Sequence, residues 1–312
     1  MKKTKTLFFL MLLVVAISAA AGKPSLRFKD NKFKIVQFTD LHWSSDAKYR
    51  KQNDSTLLLM KKAVESQKPD LVILTGDVVV SKGALKGWEE VTRTLTEQKV
   101  PFAVTFGNHD TETDMTKEQI LAYLQKNSYN LTADAGHGVE GVGNCVLPVR
   151  SSDGKTNAWV LYLLDSHAYT GDSTKGYYDW VKKSQIDWYV GQSKKLAAKA
   201  GKPVPALAFF HIPVPEYEYV RLQKTTPGNK TEQVCSPLLN SGLFFSFVQQ
   251  KDVKAIFVGH DHNNDFVGTL AGIKLCYGRK TGYVSYGFLE RGARVIEISE
   301  NTDSIETSVL LP

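Results

Sequence analysis

Six short apolar runs punctuate the chain, at 33–39, 71–75, 102–106, 158–164, 205–210 and 254–258. They are short, and most are rich in Val, Ile, Leu and Phe, which predicts strands buried on both faces. Between the early runs, residues 54–67, 87–98 and 117–127 carry apolar positions at helical spacing. Strand, helix and strand alternate, so parallel pairing with helices packed outside is the economical topology. After residue 264 the pattern changes. Stretches 266–278 and 293–311 read as short strands joined by turns at Ala271-Gly272 and Asn301-Thr302-Asp303, the signature of antiparallel sheet. The expected class is α/β, a sandwich of two mixed sheets with helices on the outer faces. No repeat or Pro/Gly/Ser-rich linker divides residues 22–312, so a single domain is expected there.

The first 21 residues break this pattern. Lys2, Lys3 and Lys5 precede an unbroken apolar run, Leu7 to Ile17, and then Ser18, Ala19, Ala20 and Ala21. Positive end, apolar middle and small residues predict a signal peptide, hence export to the periplasm or the medium with no membrane anchor left after cleavage. Export changes the charge. The whole chain carries 39 basic and 32 acidic residues, and removing the three leader lysines leaves 36 against 32, or +4. That is weak evidence for nucleic-acid binding, and no nucleic-acid partner is expected. Cys145, Cys235 and Cys276 match no zinc spacing, and their pairing stays open. So does the oligomeric state.

Chemistry concentrates just past the strands. Run 33–39 leads into Asp40-Leu41-His42, run 71–75 into Gly76-Asp77, and run 102–106 into Gly107-Asn108-His109-Asp110. Run 205–210 leads into His211, and run 254–258 into Gly259-His260-Asp261-His262. Five of the seven histidines lie at these ends, the edge of an α/β sheet where ligands bind. Alternate residues of an extended segment face one side, so Asp40 with His42, and His260 with His262, can chelate one metal or reach two adjacent ones. Carboxylate, imidazole and amide without thiolate suit manganese, zinc, iron or cobalt. Seven candidate ligands (Asp40, His42, Asp77, Asn108, His211, His260 and His262) exceed the needs of one ion and suit two that share a carboxylate.

This ordered set resembles the calcineurin-like metallophosphoesterase superfamily. Its Dcr2-like and plant purple-acid-phosphatase-like branch is the most similar part. Phe209-Phe210-His211-Ile212-Pro213-Val214-Pro215, Gly259 to Asp265 and Tyr277-Gly278-Arg279-Lys280-Thr281-Gly282-Tyr283 carry the branch resemblance. The resemblance implies a four-layer α/β/β/α metallophosphoesterase fold. It also implies that Asp40, His42 and His262 hold one ion, that Asn108, His211 and His260 hold the other, and that Asp77 bridges them. His109 then faces the substrate as general acid, with Asp110 positioning it. Purple acid phosphatases carry a tyrosine three residues after the bridging aspartate; Val80 stands there in this chain, which implies a colourless enzyme working with divalent ions.

Two cations roughly 3.5–4 Å apart clamp a phosphate ester and acidify a shared water, whose hydroxide attacks phosphorus in line with the leaving oxygen. The expected substrate is a small phosphorylated molecule, a monoester in the first reading. A phosphodiester of a lipid headgroup or nucleotide is the alternative, and a metal-binding scaffold without turnover is a third reading. Arg279 and His167 are further candidates for substrate contact, each equally readable as an ordinary surface or pocket residue.

Overall fold

The computed structural model describes residues 22–312; the predicted signal peptide lies outside the described residues. In chain order the elements are β1 (Lys32–Phe38), α1 (Arg50–Gln67), β2 (Leu71–Thr75), α2 (Ala84–Glu97), β3 (Phe102–Thr105), α3 (Lys117–Leu124), β4 (Cys145–Arg150), β5 (Asn157–Leu163), α4 (Lys183–Ala200), β6 (Ala206–Phe209), α5 (Glu216–Leu222), α6 (Leu243–Gln250), β7 (Val253–Val258), β8 (Val267–Leu270), β9 (Ile273–Tyr277), β10 (Ala293–Ser299) and β11 (Ile305–Leu310).

Two mixed sheets result. One has the order β11-β10-β1-β2-β3, the other β4-β5-β6-β7-β9-β8. Strands β1, β2 and β3 run parallel, as do β5, β6, β7 and β9. The C-terminal antiparallel expectation holds in a divided form. Hairpin β8–β9 ends the second sheet, whereas hairpin β10–β11 extends the first by pairing with β1.

The apolar runs are continuous because each strand buries both faces. Phe33, Ile35, Leu71 and Ile73 meet Leu207, Phe209, Ala255 and Phe257 in a core between the sheets. Their neighbours Val36, Phe38, Val72 and Leu74 face outward to a second core with α1, α2 and α3. Ala206, Ala208, Ile256 and Val258 do the same beneath α4 and α6. Period-2 alternation between two apolar environments leaves no polar face to betray the strand period. Strand β4 escaped the sequence reading. It is an edge strand that alternates buried and part-exposed residues around Pro148, and proline there would have broken an interior ladder. The lysine-rich stretch 182–202 is largely α4, with Ile186 and Tyr189 buried and its charges outward.

Cys145 and Cys276 are buried in the inter-sheet core and Cys235 is half-buried; all three are free thiols. Among the described residues, no helix is long and apolar enough to cross a membrane.

Candidate metal centre

The carboxyl ends of β1, β2, β3, β6 and β7 meet at one edge of the sandwich. Main-chain bonds tie them beyond the ladders: Asp40 N–H donates to Gly76 O at 3.1 Å and Gly259 N–H to His211 O at 3.1 Å. The sheets are stitched together just below, where the Gln37 amide donates to Thr75 Oγ1 and Val258 O at 2.8 and 3.0 Å. Close approach explains the glycines of these motifs. A Cβ on Gly76, itself at φ +85°, would lie 2.6 Å from the His211 ring, and one on Gly107 would collide with the Asp77 carboxylate.

Two clusters of donor atoms result, Asp40 with His42 and His262, and Asp77 with His211 and His260, each set lying within 4.8 Å. In the first, His262 Nε2 is 3.3 Å from Asp40 Oδ1 and 3.1 Å from His42 Nε2. In the second, His211 Nε2 is 3.2 Å from Asp77 Oδ2 and 3.3 Å from His260 Nδ1. Asp77 joins them, since its Oδ2 is also 3.7 Å from His42 Nε2. Several of these side chains are held from behind. His211 Nδ1 donates to Thr75 O at 2.7 Å and His262 Nδ1 to Tyr286 O at 3.0 Å, which turns both Nε2 atoms inward. Asp77 Oδ1 accepts from His109 N–H at 2.8 Å. The Asn108 amide donates to Tyr169 Oη at 2.9 Å, so its Oδ1 is turned the other way, buried without a partner. An orphaned carbonyl oxygen, inward imidazole nitrogens and two carboxylates in one buried site are what a pair of cations would satisfy. The residues present fit two metal ions.

The electrostatics agree. Burial would push the Asp40 carboxyl up, but His262, His211 and Lys280 outweigh it and hold it well below the usual carboxylate range. Asp77 is likewise held low against burial, by His211 and His42. Burial lowers His42 well below its ordinary value, with the Lys280 charge adding to the effect. Burial and His211 bring His260 down to about 3. Burial also opposes charge on His211, yet Asp77 and Asp40 win and raise it to about 9. Without metal, then, His211 carries a proton that a cation must displace.

His109 lies beside this centre without joining either cluster, its ring 5.4 Å from that of His42 and its side chain 38% exposed. Asp110 makes no hydrogen bond to its ring. The Asp110 carboxylate accepts four main-chain N–H groups, from Val78 and Val79 on one oxygen and from Asp77 and Gly107 on the other, at 2.8–3.1 Å. It therefore braces the two loops that carry Asp77 and Asn108. Burial and the Asp77 charge raise its carboxyl to about 6. His109 Nδ1 bonds instead to Glu112 Oε2 at 2.8 Å. The sequence reading missed Glu112, although three residues across the 3₁₀ turn His109–Thr111 place it on the same side.

The two further substrate candidates fall elsewhere. Arg279 is buried, ion-paired with Asp265 and bonded to Glu290 O, so its guanidinium is consumed by structure. His167 bonds to Gln185 Oε1 at 2.7 Å and lines a neighbouring cleft rather than the metal clusters. Val80 donates its N–H to Trp43 O and offers no ligand. The rings that do adjoin the ligands are Tyr286, stacked on His262 at 4.0 Å with its hydroxyl turned to Glu232, and Tyr178, edge-to-face on His260 at 4.5 Å.

A two-metal hydrolase centre at the strand ends of a double-sheet sandwich is the class that this fold and site define. The chain belongs to the calcineurin-like phosphoesterase family, whose model matches residues 33–264, and it is a metal-dependent phosphoesterase. It is 35% identical to probable inactive purple acid phosphatase 29 of Arabidopsis thaliana over 91% of this chain and 82% of that protein. It is 33% identical to phosphatase DCR2 of Saccharomyces cerevisiae over 89% of this chain and 53% of that one. Among solved structures, a dimetal phosphatase from Danio rerio shares the fold with a TM-score of 0.62 at 12% identity, covering 89% of this chain and 96% of that one. A purple acid phosphatase from yellow lupin does so with a TM-score of 0.54 at 14% identity, over 90% and 52%.

Proposed function

We propose that the chain is an exported phosphatase that hydrolyses small phosphomonoesters by in-line displacement, with His109 as the proton donor to the leaving oxygen. The observation that carries this reading is the complete set of seven inward donor groups with a half-exposed, non-ligating histidine beside it. Two divalent ions held there would neutralise phosphate charge and acidify a water between them. Asp40, His42 and His262 would hold one, Asn108, His211 and His260 the other, and Asp77 both. His109 Nε2, the ring nitrogen not engaged by Glu112, would give a proton to the oxygen that gains charge as the ester bond breaks.

Glu112, Glu232 and tyrosines border the mouth, and their acidic charge favours a compact leaving group over a polyanion. Manganese, zinc, cobalt and iron(II) suit the donors, and Val80 in place of a phenolate supports divalent iron over iron(III). The lysine-led apolar leader supports export.

A scaffold without turnover is the second reading, favoured by the word inactive in the names of Arabidopsis relatives. Against it stands a ligand set with no member lost. Purified protein, assayed for bound metal and then for turnover of monoesters and diesters with each metal restored, separates the readings. Two metal equivalents with turnover of neither ester class would sink the enzymatic one, and faster diester turnover would shift the substrate.

A further inference from the structure

Glu112 and Tyr169 belong to no ligand set, yet they connect one to the proton donor. Tyr169 Oη accepts from the Asn108 amide at 2.9 Å and donates to Glu112 Oε1 at 2.7 Å. Glu112 Oε2 takes the remaining bond, to His109 Nδ1 at 2.8 Å. An ionised carboxylate can only accept, so the Nδ1 atom carries hydrogen and Nε2 is left for the substrate. The phenol's one donor and one acceptor are both used, which fixes the direction of the chain. Reversing the Asn108 amide would set its carbonyl where Tyr169 needs a donor.

We propose that Glu112 and Tyr169 form a bracket of two positioning residues, which aims the Asn108 carbonyl at the second metal and the His109 ring at the leaving oxygen. The bracket is anchored on the strap that runs from His167 to Tyr178. Tyr169 and Tyr178 pair as an isolated bridge, and Tyr178 packs on His260. One strap thus touches three functional side chains. A stray surface pair would leave Glu112 one free oxygen and Tyr169 a free hydroxyl; neither is free.

The role given to His109 rests on the phosphatase reading; the aim of Asn108 does not. The test uses manganese-loaded protein. Glu112→Ala should lower kcat for an alkyl phosphate by about 10–100-fold, the usual cost of losing an outer partner. KM and metal content should hold, and a nitrophenyl ester, which needs little protonation, should lose far less. Added to His109→Ala it should cost nothing more, because both changes remove one function. Glu112→Gln, which retains one acceptor oxygen, should recover part of the loss. An equal loss across leaving groups, or additive losses in the double variant, would overturn the acid arm. Tyr169→Phe should weaken one of two manganese ions by about 10–100-fold and spare the other; unchanged affinities would overturn the metal arm. Histidine ¹⁵N spectra of the protein loaded with diamagnetic zinc add a readout without turnover, since the His109 Nδ1–H signal should be present in the wild type and lost in Glu112→Ala. Should the wild type hydrolyse no ester while the manganese and ¹⁵N arms respond, the bracket stands and the phosphatase reading falls.

Discussion

The ligand shell and the rim of this centre are built on opposite terms. The shell sits in turns that leave five strand ends, with Asp40, Asp77, Asn108 and His211 all almost wholly buried and braced by main-chain bonds. The rim is made of longer connections that carry exposed rings, Tyr177 at 69%, Phe288 at 72% and Tyr286 at 53%. The shell is over-determined: moving one ligand disturbs two strands and several buried hydrogen bonds. The rim lies outside the two sheets, although Tyr286 and the strap that carries Tyr177 reach in to the ligands. Reaction class therefore resides in the first and substrate choice in the second.

The sharpest way to break this contrast is Asp77→Asn. Asp77 faces both clusters, so metal and turnover should fall together, by roughly 10²–10³-fold or more in kcat. Elemental analysis beside a rate measurement checks it, and two retained metal equivalents would refute the bridge. His109→Ala stands at the border of shell and rim. It should cost about 10²–10⁴-fold in kcat on poor leaving groups, with both metals still bound.

Asp110→Asn probes the bracing. An amide oxygen can replace only one carboxylate oxygen, and each buried N–H left unsatisfied costs about 1–3 kcal/mol. A melting temperature lowered by several degrees is expected; an unchanged melt would show that the brace is dispensable. Acidity probes the shell more gently. His211, raised to about 9 in the metal-free protein, must release its proton to bind a cation. Apparent metal affinity should climb about tenfold per pH unit up to pH 9 and then level. Calorimetry in buffers of different ionisation enthalpy would count that proton, and flat affinity would contradict it. Tyr177→Ala should do least. Loss of an exposed aromatic contact, about 0.5–1.5 kcal/mol, should change kcat/KM severalfold for bulky esters and leave metal binding alone.

What the sequence made legible follows the same division. Parallel strands and the order of the ligands could be read because burial on both faces leaves apolar runs and because short motifs end them; the division into two clusters came from the family resemblance, since spacing alone left open whether His260 and His262 share an ion, and they fall in different clusters. Arg279 misled, since an arginine near a phosphate site invites a bidentate reading and nothing local reveals that Asp265 consumes it. Asp110 follows His109 in the chain, yet its carboxylate serves the backbone of its own loop and of the β2 end, not the imidazole, and adjacency gives no sign of that. Tyr169 lies about sixty positions from Asn108, and no local spacing predicts that contact. Strand β4 and the short helices α5 and α6 were hidden by proline and by brevity.

The backbone at the centre carries one more implication. Asp40, His42, Asp77 and His260 adopt positive φ angles of 53°, 51°, 52° and 82°, a region where a side chain costs on the order of 1–3 kcal/mol and glycine costs little. These residues are kept against the preference of their own peptide chain. A descendant released from selection for turnover would relieve that strain with each ligand it exchanged for glycine. The centre's geometry therefore opposes the local preference of the backbone that carries it, and the hydrogen bonds of the Asp40 and Asp77 side chains hold it in place.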